Sequence, residues 1–129
     1  MHLPYVRAFT IVCLAETLVV GEPERALEIA NAGLSVARTT GYLVQEAELL
    51  RVKAAALATT DLAEAEARVS EGMALARKLG MRPEEGHALR ILGDIQLAKG
   101  EIAASHQSRD RAREIYAELG MKYWLLRIG

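Results

Sequence analysis

Apolar and small residues recur along this chain at helical spacing, and the pattern restarts about every forty positions. Gly41, Gly80 and Gly120 fall 39 and 40 residues apart, and each is followed by an apolar residue, Tyr42, Met81 or Met121. A glycine just past a helix end takes the left-handed conformation at little steric cost, and the next apolar side chain folds back on the last turn. A second break lies twenty residues before each of these, at Gly21, Thr60 and Gly100. Each is followed by an acid (Glu22, Asp61, Glu101), which faces the positive end of a helix dipole. Two breaks per period predict two helices per repeat. The first helices fall at about 4–20, 43–59 and 83–99, and the second at about 23–40, 62–79 and 102–119. A further helix opens at Lys122 and ends with the chain.

Within the second helices the registers agree. Ala26, Ala65 and Ser105 stand at one position, Gly33, Gly72 and Ala112 seven later, and Val36, Leu75 and Ile115 three beyond that. Glycine inside a helix costs about 1 kcal/mol against alanine, so two at one repeat position point to a close helix crossing. Val36, Leu75 and Ile115 are expected as the apolar knobs of the same face. In the third first-helix, Leu89, Leu92 and Gly93 form a close-packing stripe.

The expected fold is all-α: a single helical-hairpin solenoid of three helix pairs plus a partial seventh helix, with repeats at about 3–41, 42–80 and 81–120 and a remnant at 121–129. Composition agrees, since alanine and leucine exceed a quarter of the chain while aromatics are 5%. The small residues Gly93, Ser105 and Ala112 carry the spacing of the tetratricopeptide motif; Leu14 and Lys53 replace the first of them in the earlier repeats.

The stretches 76–83 (Ala-Arg-Lys-Leu-Gly-Met-Arg-Pro) and 116–125 (Tyr-Ala-Glu-Leu-Gly-Met-Lys-Tyr-Trp-Leu) carry a wider likeness. They resemble the C-terminal tetratricopeptide-like arrays of large bacterial signalling proteins. There an ATPase of the signal-transduction type precedes the array, beside an adenylate cyclase, a LuxR-type DNA-binding domain or a kinase. The resemblance implies a non-catalytic interaction or sensing module in a bacterial regulator. No cyclase, ATPase or helix-turn-helix residues accompany it here.

Sixteen basic against seventeen acidic residues give a net charge of −1, leaving no global field for nucleic acid or anionic lipid. Glycine-rich phosphate motifs are absent, so no cofactor is expected. His2, His87 and His106 have no His-x-x-x-His or cysteine pair beside them, so no metal site is expected either. Glu84, Glu85 and Asp94 lack a neighbouring nucleophile and read as surface carboxylates. Catalysis is accordingly not expected. Cys13 reads as a small buried hydrophobe, Trp124 as a core anchor, and the run Arg109–Glu114 as a solvated face with local ion pairs. The first helix is apolar but too interrupted by Arg7, Thr10 and Glu16 to cross a membrane, and a lone cysteine suits the cytoplasm.

A tetratricopeptide superhelix lines its concave face with first-helix residues. Here the register gives Ala8, Ile11, Ala15 and Leu18, then Ala47, Leu50, Ala54 and Leu57, then His87, Arg90, Asp94 and Leu97. The first two sets are apolar and the third is polar. Such a face, together with an apolar first helix, predicts a protein or peptide partner or a second copy of the chain, most simply a homodimer.

Overall fold

A computed structural model describes the backbone of residues 3–128 and the side chains of residues 11–128. The described residues form seven helices and no strand: α1 (Leu3–Leu18), α2 (Pro23–Thr40), α3 (Leu43–Leu57), α4 (Leu62–Leu79), α5 (Arg82–Ala98), α6 (Ile102–Glu118) and α7 (Lys122–Arg127). None is long and apolar enough to cross a membrane.

The helix ends follow from the local chemistry read above. Gly41, Gly80 and Gly120 sit at φ 76°, 70° and 68°, in the left-handed region. After each, the next amide reaches back to a carbonyl in the preceding turn: Tyr42 to Ala37, Met81 to Ala76, and Met121 to Tyr116. These bonds satisfy carbonyls that the helix end would leave orphaned. At the other break, Asp61 caps α4 by accepting a hydrogen bond from the Glu64 amide at 3.1 Å.

Each helix packs on its sequence neighbour, and α3 also touches α1 and α5. Burial runs along one stripe of every even helix: Ala26, Ala30, Gly33, Leu34 and Ala37 in α2, and Ala65, Val69, Gly72, Met73 and Ala76 in α4. Two of the expected knobs, Val36 and Leu75, sit one position off this stripe. Val36 is exposed, and Ala37, Ala76 and Tyr116 are the fully buried residues at that turn. Ile115 is buried as expected. Two clusters form the core. One joins α1, α2 and α3 through Val12, Leu34, Leu49 and Val52. The other runs from α3 to the C-terminus around Val69, Ile91, Ile95 and Tyr116.

The central helix α3 explains why an apolar sequence face stays inside. It is packed by α1, α2, α4 and α5, so Ala47, Leu49, Leu50, Val52 and Ala54 are all shut from solvent. Cys13 is exposed, not buried. Glu84 and Glu85 lie at 6% exposure, in the interior rather than on the surface, and arginine partners make that tolerable.

Candidate functional site

The odd helices share one face, and its chemistry centres on Arg51 of α3. Arg51 is 5% exposed and joins three helices. Its Nε donates to the Glu84 carboxylate of α5, and its Nη1 donates to Glu16 Oε1 of α1 at 3.0 Å. Burial alone would lower the Arg51 pKa, but the Glu84 and Glu16 carboxylates outweigh it and hold the guanidinium charged. Glu48 lies one turn before Arg51. Burial first, and then the charges of Glu84 and Glu16, push its carboxyl above the ordinary carboxylate range.

Beside this network α5 presents His87 and Arg90 to Tyr116 of α6 and Trp124 of α7. The Tyr116 oxygen accepts from Arg90 Nε at 3.2 Å and lies 2.9 Å from His87 Nδ1. The His87 tautomer sets which way the hydrogen bond between Nδ1 and the hydroxyl runs. Burial, reinforced by the positive charges of Arg51 and Arg90, lowers the His87 pKa from 6.5 to about 3. The His87 ring meets Trp124 edge-on at 4.8 Å, and the Arg90 guanidinium lies 4.5 Å from the Trp124 ring centroid.

A pH dependence follows. The unfolded chain binds a proton at His87 near 6.5, while the folded chain resists it until about 3. Stability is therefore lost as pH falls through that window. Glu48 works in the opposite sense across the carboxylate range, because its raised pKa favours the folded state as pH falls. Denaturant titrations at about pH 7 and about pH 5 should show this His87 loss, and His87→Gln should flatten it. An unchanged slope in the variant would remove the burial account.

Two adjoining pockets open on this face and share Glu16 and Arg51. The first, about 360 Å³, lies between α1, α3, α5 and α7, walled by Val20, Val52, Ala55, Ala58 and Ile91, with Arg90, Asp94 and Trp124 at its α5–α7 side. The second, about 460 Å³, includes Glu48, Glu84 and His87. Asp94 is held by Arg109 of α6 at 2.7 Å. Among the described residues no group of three or more metal-ligating side chains comes together.

The expected lining residues divide accordingly. Ala8 falls outside the residues with described side chains. Ile11 and Leu18 are half-buried, and Ala15, Ala47, Leu50, Ala54 and Leu57 are buried against neighbouring helices. His87 and Arg90 are half-buried, and Asp94 and Leu97 are exposed. Of these residues Arg90 and Asp94 meet in the first pocket, and His87 reaches the second. The sequence pattern did not single out Arg51, Glu16, Glu48 or Tyr116. The signal for Arg51 was a cation, with Lys53 two residues on, inside the otherwise apolar run Leu49–Ala58, where a buried charge has to be paired. His106 is exposed on α6. The run after Arg109 forms the local pairs expected of it, Arg111 with Glu114 at 2.9 Å and Arg113 with Asp110 at 2.6 Å.

Comparison with known proteins finds no family, curated protein or solved structure that matches this chain.

Proposed function

We propose that this chain is a non-catalytic protein-interaction module, a tetratricopeptide-like solenoid of three helix pairs and a short seventh helix. Its context is a bacterial ATPase-linked signalling or transcription regulator, and its place is the cytoplasm. Contacts confined to near neighbours along the helix order support the solenoid reading. The observation that carries the interaction reading is the pocketed face of the odd helices. There Val19 and Val20, just past the end of α1, and Trp124 of α7 flank the pocket between α3 and α5, and Val20 is 94% exposed. Exposed apolar surface rimmed by charged residues marks an interface.

The partner in the simplest case is a second copy. Light scattering after size exclusion at micromolar concentration should give about twice the 14.1 kDa chain mass, and Val20→Glu should return it to one chain without unfolding. Leu50 is unsuited to this test, since it is fully buried and a glutamate there would unfold the chain. A wild-type monomer across the concentration range would contradict self-association. A second reading has the same face sense a small ligand or peptide and control an attached output domain. It is favoured by Arg90, which lines the first pocket and makes no ion pair among the described residues.

A further inference from the structure

We infer that the pocket between α1, α3, α5 and α7 binds a small apolar monocarboxylate, with Arg90 as the anion anchor. The inference rests on the ligand-sensing reading of this face and names the ligand class. At about 360 Å³ the pocket is near the lower end of the ~300–1,000 Å³ range of small-molecule sites, which suits a short chain rather than a folded partner. Its walls are aliphatic: Val20, Val52, Ala55, Ala58 and Ile91. They remove an apolar tail from water but supply no hydrogen bonds, so orientation must come from the few charged groups present.

Pairing decides which of those groups is available. Arg51 is held by Glu84 and Glu16, and Asp94 is held by Arg109. Each of these charges is already met. Arg90 is the exception. Its Nε is used on the Tyr116 hydroxyl and its Cζ lies over the Trp124 ring, while no carboxylate is within ion-pair distance of it among the described residues. The terminal nitrogens make no hydrogen bond to the described residues, and a carboxylate can meet such a guanidinium with two hydrogen bonds. A cationic ligand would face Arg90 with no acid left over in this pocket, since Glu16 and Asp94 are both paired. Glu48 lines the other pocket.

Calorimetric titration of the chain with sodium octanoate, octan-1-ol and octylammonium tests this. The emission of Trp124 serves as a second readout, since it is the single tryptophan and lines the pocket. Octanoate should saturate one site per chain and shift that emission. Octanol and octylammonium should bind about tenfold or more weaker, the worth of one charge-assisted hydrogen bond. Arg90→Gln should bring octanoate down to the level of octanol, and Arg90→Lys should keep part of the preference. Equal binding of octanol, or octanoate binding unchanged in a folded Arg90→Gln chain, overturns the carboxylate assignment and leaves the sensing reading standing. If none of the three binds, both fall. Should Arg90→Gln not fold, Ala58→Leu narrows the pocket without touching Arg90. It should weaken octanoate by a similar factor, and undiminished binding overturns the site.

Discussion

Arg51→Met should destabilise the fold by about 3–5 kcal/mol, the cost of leaving a buried carboxylate without its cation. The stranded group is Glu84, at 6% exposure. Its loss is felt by three helices, because Arg51 is where α1, α3 and α5 are tied together. Glu16→Gln removes the other partner and should cost only about 0–1 kcal/mol, since the Glu16 side chain is 46% exposed and water replaces the contact. Arg51→Met with Glu84→Leu removes both buried charges and should recover most of the stability. Denaturant titration of the wild type, the two single variants Arg51→Met and Glu84→Leu, and their combination gives the coupling energy directly. An Arg51→Met chain within about 1 kcal/mol of wild type would mean that the network is peripheral to the fold.

Gly72→Leu should cost about 1–3 kcal/mol by overpacking. A Cβ at Gly72 would stand 3.0 Å from the Leu50 Cβ and 3.2 Å from the Ala47 carbonyl oxygen. Those atoms belong to the α3 framework rather than to flexible side-chain tips, so a leucine has to move α4 off α3. Gly72→Ala is the finer probe, because a propensity gain of about 1 kcal/mol competes with that crowding. Gly21 has open space around it, and Gly21→Leu should stay within about 0.5 kcal/mol. Equal melting of the Gly72→Leu and Gly21→Leu chains would show that α3 and α4 do not cross at this point.

The helices were legible because their signals are local. Glycines in the left-handed conformation, acids at helix starts and a repeat of about forty residues need no knowledge of what packs where. The open face was less legible. Ala47, Leu50 and Ala54 look like a groove lining on a helix wheel, yet α3 is covered from several sides and all three are interior. Exposure there depends on how many neighbours a helix has, which a single helix pattern does not carry. Glu84 and Glu85 followed the same logic in reverse. A surface reading of carboxylates holds unless a cation comes from elsewhere, and Arg51 lies 33 residues away from Glu84. Tyr116 was hidden because its role joins a buried ring to a hydroxyl that reaches His87 and Arg90 on a neighbouring helix. Arg90 and Asp94, picked out by register, both line the first pocket.

That the odd helices form the working face is tested most directly by hydrogen–deuterium exchange, compared between dilute and concentrated protein. Amides in α1, around Ala55–Ala58 at the end of α3 and in α7 should exchange more slowly at high concentration, while those of α2, α4 and α6 stay unchanged. Protection that rises on the even helices, or on none, would contradict it.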